Sequence, residues 1–257
     1  MAKIATAERV SRELSDNFVF QRSLLAYHFA AKQISGRVLE IGTGSGYGVD
    51  IIAPNATEFI SIDKFLPAIA AEDLPQNVEL VSANVPPIPF DNESFDYVIS
   101  FQVIEHIKQD AKFVAEIYRV LKNGGRFIVS TPNIDMSLTR NPWHVREYTT
   151  VEFAALLSKS FDMADIERLG VSGNQQVMEY YEKNKASVRK FTRFDIFRMQ
   201  WWLPRWILQI PYDILNRINR RKLLNENQEL TSSIKMDDYS VVEANAECFD
   251  LLYIAKK

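Results

Sequence analysis

The stretch "RVLEIGTGSGYGVDI", Arg37 to Ile51, constrains the fold more than any other part of the chain. An apolar run is followed by glycine at every second position: Gly42, Gly44, Gly46 and Gly48. The chain has only 9 glycines in 257 residues, so this cluster needs a reason. Glycine costs backbone entropy and is placed where the chain takes a positive φ or something must come close to the backbone. A strand that runs into such a turn and then into a helix is a nucleotide-binding arrangement of open α/β sheets. The dinucleotide form, G-x-G-x-x-G, needs a small third residue for helix–strand packing. Counting from Gly42 gives Tyr47 there, and counting from Gly44 gives Val49, so a nicotinamide oxidoreductase is disfavoured.

The rest of the chain alternates short apolar runs with helical patterns. Strands are predicted at 37–41, 58–62, 78–81, 97–101 and 126–131, with two closing strands in 161–171 and 248–257. Residues 7–34 read as a helical cap, with Phe18, Leu24, Leu25, His28 and Phe29 at helical spacing and Gly36 as a stop. "KQDAKFVAEIYRVLKNGG" reads as an amphipathic helix closed by Gly124 and Gly125. Thr149 and Glu152 have capping-box spacing at the start of another helix. Alternation of this kind predicts a single α/β domain over 1–257, with a parallel sheet and crossover helices. Residues 173–247 break the alternation and read as a helical insertion between the last two strands.

Composition excludes several function classes. Net charge is −3 with pI near 5.7, so nucleic acid is not expected as a partner. The single cysteine, Cys248, excludes a disulfide framework and multi-cysteine zinc sites, and no metal is expected. The start "MAKIATAERVSRELSDNF" lacks an apolar signal core, so a cytoplasmic location is expected.

Four ordered motifs together resemble class I S-adenosylmethionine (SAM) methyltransferases. They are Glu40-Ile41-Gly42-Thr43-Gly44-Ser45-Gly46, the strand-end acid Asp63, the run Ile88-Pro89-Phe90 to Ser94-Phe95-Asp96, and Glu105-His106-Ile107. The resemblance covers about 20–170 plus the last strand. It implies a Rossmann-like, doubly wound, seven-stranded and mostly parallel sheet whose last strand is antiparallel. It also implies SAM as cofactor, S-adenosylhomocysteine as product, and methyl transfer by in-line displacement with oxygen as the expected nucleophile. Cofactor contacts are implied for Tyr27, Glu40, Gly42, Thr43, Gly44, Gly46, Asp63, Asn84, Val85 and Gln102. The residue at Asn84 is usually aspartate in the family; asparagine keeps an acceptor and adds a donor.

On the acceptor side, "NPWHVREYT" closely resembles a segment of methyltransferases from bacterial polysaccharide and cell-surface glycan pathways. It points to His144 as a base and to His144, Arg146 and Tyr148 as acceptor contacts. For Glu147 and Tyr148 a loop-stabilising role weighs more. His106 is the second candidate base, although packing beside the cofactor is its commoner use in relatives. The implied acceptor is a small molecule or a lipid-linked glycan precursor. A quinone-type O-methyltransferase, or a SAM-fold binding protein without catalysis, stand as alternatives.

The segment 190–222 holds eight Lys/Arg against Asp195 and Asp213, a charge of +6, which leaves −9 on the remainder of the chain. Trp201, Trp202 and Trp206 are interleaved, and Ile207, Ile210, Ile214 and Ile218 follow at helical spacing. Such a segment reads as a helix lying on an anionic membrane face. It reads equally as a lid on the sheet or a homodimer contact.

Overall fold

The computed structural model describes residues 12–193 and 203–257. Eight strands form one sheet in the order β3-β2-β1-β4-β5-β8-β6-β7. They are β1 Arg37–Ile41, β2 Glu58–Asp63, β3 Val78–Ser82, β4 Phe95–Phe101, β5 Leu121–Pro132, β6 Ile166–Gly173, β7 Tyr239–Glu243 and β8 Asp250–Lys256. β1 to β5 run parallel, and β8 lies antiparallel between β5 and β6.

The expected seven strands are therefore eight. The addition, β7, pairs antiparallel with β6 from Leu169↔Glu243 to Gly173↔Tyr239 and forms the outer edge. Its five residues sit inside the stretch expected to be helical. β6 starts at Ile166 rather than 161, because Met163–Asp165 form a 3-10 turn capped by Asp162. The helix preceding β5 ends at Val120, before the two glycines, because Leu121 already pairs with Phe95.

Strand side chains alternate between faces, and each face builds its own core. Leu39, Ile41, Ile60, Ile62, Val98, Phe127, Val129, Leu251 and Tyr253 face α3 (Asp110–Val120) and α4 (Thr150–Leu157). Val38, Phe59, Ile99, Ile128, Leu252 and Ile254 face the other way. There they meet α1 (Asn17–Ala31), α2 (Val49–Ile52), α5 (Gln175–Thr192) and the Leu223 end of α6 (Arg205–Glu226). A short α7 (Gln228–Ser233) leads into β7.

Helix α1 buries Phe18, Ala26, Tyr27 and Ala30, while His28 is exposed. Residues 7–11 of the expected cap lie outside the described residues. The capping box at α4 is formed: Thr149 accepts from Glu152 N–H, and the Glu152 carboxylate accepts from Thr149 N–H at 2.9 Å.

Strand order reverses between β1 and β4, so the crevice at their C-terminal ends is where an open α/β sheet takes its ligand.

Candidate active site

The glycine turn leaves β1 at this crevice. Gly42, Gly44 and Gly46 have φ of 100°, 57° and 84°. The four glycines do different work. A Cβ on Gly42 would collide with the Val103 side chain, and one on Gly48 would collide with the Tyr27 ring. Those two are packing glycines. A Cβ on Gly44 meets nothing within 4 Å, so that backbone faces open space and can be approached. The helix after the turn has only four residues before the 3-10 turn at Ala53–Asn55, so close backbone approach matters here more than a helix dipole.

Beneath the turn lies a buried polar cluster. Glu40, 2% exposed, accepts from Tyr27 Oη at 2.6 Å and from Ser61 Oγ. Ser61 also bonds Thr43 Oγ1 at 2.6 Å, which ties the turn to the cluster. The sheet register brings this about, since Glu40 pairs with Ser61 across β1 and β2. Burial pushes the Glu40 carboxyl up to about 7, against the pull of its Ser61 and Tyr27 bonds. Tyr27 is raised well above its ordinary value, first by burial and then by Glu40. No sequence reading assigns Ser61; the only signal is a small hydroxyl inside the apolar strand "EFISID".

Asp63 ends β2 half-buried, accepting from Gly44 N–H and Phe65 N–H, both at 2.9 Å. Asn84 is exposed and Val85 half-buried just beyond β3. Gln102, after β4, has φ of 56° and donates its backbone N–H to Ser130 O at 2.9 Å. The open Gly44 backbone, the strand-end acid and the buried carboxylate suit a ligand with a diol at one end and a cationic centre at the other.

The second part of the site is a histidine–carboxylate cluster. Glu105 and His106 come from the 3-10 turn after β4, and His144 comes from the loop after β5. The Glu105 carbonyl accepts from Val145 N–H at 2.6 Å, which clamps the loop over the turn. The two imidazoles stand edge to face with centroids 4.9 Å apart. Glu105 is 1% exposed, and one carboxylate oxygen accepts from Thr131 Oγ1 at 3.1 Å. His144 Nδ1 is 2.6 Å from Glu147 Oε1, and its Nε2 is 2.8 Å from Asn141 Nδ2. Ligand-type atoms of Glu105, His106 and His144 lie within 4.8 Å of one another.

Arg146 and Tyr148 are placed otherwise than expected. Arg146 reaches out to Asp110 Oδ2 at 2.8 Å, and buried Tyr148 donates to the same oxygen at 3.0 Å. Both tie the loop to α3, and neither lines the cavity described next. Glu147, Asn141 and Glu105, to which the sequence reading gives no acceptor role, do line it.

That cavity has a volume of about 610 Å³. One wall carries Gln102, Glu105, His106, Asn141, His144 and Glu147. The others are mainly apolar: Phe18 and Val19 of α1, Tyr180 and Tyr181 of α5, and Ile207, Leu208 and Leu215 of α6. Arg205 Nη1 donates to His144 O at 3.0 Å and Trp143 Nε1 to Asp213 Oδ1 at 3.0 Å, so α6 is fastened to the histidine loop.

Fold and glycine turn together are those of a cofactor-binding α/β protein, with a large cavity lined in part by Gln102, Glu105 and His106 after β4. The methyltransferase domain family matches residues 39–129. A Mycolicibacterium smegmatis chain, described as a probable SAM-dependent methyltransferase, is 37% identical over 192 residues, covering 71% of this chain and 74% of that one. A Mycobacterium tuberculosis chain of the same description is 40% identical over 160 residues, covering 59% of this chain and 58% of that one. A solved SAM-dependent methyltransferase from Thermotoga maritima shares the fold, with a TM-score of 0.57 at 17% identity over 97% of each chain. The chain belongs to the class I SAM-dependent methyltransferases, and SAM is its cofactor.

Proposed function

We propose that the chain methylates a hydroxyl oxygen on an acceptor with a sizeable apolar body, of the lipid-linked sugar kind. When bound, SAM would supply a methyl carbon to the acceptor oxygen, the new C–O bond replacing the C–S bond whose electron pair stays on sulfur, and His144 would take the hydroxyl proton. On the cofactor side, Asp63 holds the diol, Gly44 admits the ligand to the backbone, and Glu40 favours the cationic end. On the acceptor side, His144, oriented by Glu147 on its Nδ1, activates the hydroxyl. The roof formed by α6 excludes water and keeps the two reactants in line.

One observation carries the reading: the histidine–carboxylate wall and the apolar walls border the same cavity. A free sugar would leave the apolar walls without a partner, whereas a lipid-linked one fills both. Delivery from a membrane fits the exposed stripe Trp206, Ile210, Ile214 and Ile218 on α6, with Arg217 and Arg221 nearby. Trp201 and Trp202, expected to extend it, lie outside the described residues. No helix among the described residues is long and apolar enough to cross a membrane.

The test is transfer of labelled methyl from SAM to lipid-linked sugars, sugar nucleotides and polyprenyl phenols. Lipid-linked sugars are expected to be methylated best. Methylation of polyprenyl phenols alone would replace this reading with the quinone-type one. With the true acceptor, His144→Ala should lower turnover about 100-fold while leaving SAM affinity unchanged. Asp63→Ala should weaken SAM binding by roughly 1.5–3 kcal/mol in calorimetry.

A further inference from the structure

We propose that Arg22 anchors a phosphoryl group of the methyl acceptor inside the large cavity. The proposal deepens the reading above and rests on it for the ligand's being the acceptor. Arg22 lies on α1 and lines the cavity. Its side chain is 14% exposed, and its Nε stands 2.8 Å from Asp250 Oδ2. The guanidinium carbon lies 5.7 Å from the Phe18 ring centroid and 5.5 Å from that of Phe249, so two aromatic rings brace the group. Among the described residues, neither Nη1 nor Nη2 of Arg22 has a hydrogen-bond partner. Asp250 Oδ1 is buried and has none either. Buried polar groups are paired as a rule, and an ion pair that served only to fix α1 on the sheet would close both carboxylate oxygens onto the guanidinium fork. This pair is engaged on the Nε side alone. Arg22 is positioned from one edge, and its other two nitrogens are left for an oxyanion.

Guanidinium nitrogens only donate, so the group they take must accept, and their fork matches a phosphate. The cavity walls carry Arg22, Arg140 and Arg220 against Glu105 and Glu147, so arginines outnumber carboxylates there. The position of Asp250 separates this site from the cofactor. Asp250 opens β8 and pairs with Pro132 at the C-terminal end of β5. In the order β1-β4-β5-β8 that is three strands from the glycine turn, about 14 Å at the usual strand spacing. Tyr27, which covers the buried Glu40, lies five residues further along α1, about 7.5 Å down the helix axis. Neither the glycine turn nor Asp63 lines the cavity. A lipid-linked sugar has its phosphate between the sugar and the lipid. With the sugar hydroxyl at His144, the phosphate at Arg22 and the lipid against Tyr180 and α6, each wall of the cavity has a partner.

Farnesyl phosphate and farnesol share an apolar body and differ in the phosphate. Each is titrated calorimetrically into the full chain saturated with S-adenosylhomocysteine. Farnesyl phosphate is expected to bind more tightly than farnesol. Arg22→Gln should weaken farnesyl phosphate about tenfold or more and leave farnesol unchanged, and Arg22→Lys should recover part of the loss. Arg22→Gln leaves Asp250 without its cation, so Arg22→Gln with Asp250→Asn is the second variant. It is expected to fold as the parent does in circular dichroism and to lose the phosphate preference. Equal affinity of the parent for the two probes, binding of neither, or a phosphate preference that survives in both variants overturns the proposal. A matching loss of SAM affinity in both variants overturns it too, and assigns Arg22 to the carboxylate of the cofactor. Transfer of labelled methyl is measured separately. Its absence with every acceptor overturns the methyl-transfer reading, while the calorimetry judges the phosphate anchor by itself.

Discussion

Glu40 shows how much of this site depends on one buried proton. Its carboxyl stands at about 7 instead of 4.5, chiefly because it is buried. Between those values the folded chain holds a proton that the unfolded chain has released. Stability therefore falls as pH rises from about 4.5 through 7 and is level above. The gap corresponds to on the order of 3 kcal/mol. Glu40→Gln should abolish this slope in thermal melts between pH 4.5 and about 8; a slope equal to that of the parent would mean Glu40 does not titrate there. A cationic ligand nearby favours the ionised form, so SAM binding should release a proton below pH 7 and tighten as pH passes it. Calorimetry in buffers of different ionisation enthalpy measures that proton directly. The glycines give a second residue-scale contrast. Gly48→Ala drives a methyl into the Tyr27 ring and should lower stability by about 1–3 kcal/mol. Gly44→Ala meets no neighbour, so apart from its positive φ it should spare stability and weaken SAM. Equal loss of melting temperature in both variants, with SAM affinity intact in Gly44→Ala, would contradict the division. The motif was readable in the sequence, but this division of labour was not. It depends on which side chains the fold brings against each glycine.

Helix α6 joins the lid reading to the membrane reading at the scale of an element. Its inner side lines the cavity with Ile207, Leu208 and Leu215, and its outer side exposes Trp206, Ile210, Ile214 and Ile218 at four-residue spacing. Arg220 is paired with Asp16 at 2.6 Å, so its removal tests the fold as much as the surface. Arg217→Gln with Arg221→Gln instead removes two exposed charges of the same helix. Each such charge contributes about 1 kcal/mol near an anionic surface. The pair should weaken co-sedimentation with phosphatidylglycerol vesicles at low salt and leave binding to neutral vesicles unchanged. Equal sedimentation of parent and variant, with a concentration-dependent dimer in light scattering, would assign the stripe to a second copy. Elements with local signals were legible beforehand: the short apolar strand runs, and the Thr149–Glu152 cap. β7 was not. "YSVVE" is five residues long and gains its strand identity from pairing with β6, a contact no local pattern records.

In the whole molecule, the N-terminal helix and the insertion close on each other. Asn17 Nδ2 donates to Thr231 O at 2.7 Å and Ile234 O at 2.9 Å, and Tyr239 Oη donates to Phe18 O at 2.6 Å. The parallel sheet with crossover helices followed from the alternation of patterns along the chain, and the cofactor edge from the resemblance that the glycine motif carries. The large cavity did not, because its apolar walls come from α1, α5 and α6, segments far apart in sequence. Topology adds a final point. β6 and β8 are antiparallel neighbours, which a two-residue hairpin could join. The chain instead departs after β6, builds α5 to α7 and an edge strand, and returns at β8. The glycine turn, Asp63 and Glu40 all belong to the part of the chain before this excursion. A change confined to this excursion therefore remodels the apolar walls that α5 and α6 give the cavity, while the stretch that carries the glycine turn and the histidine loop keeps its sequence.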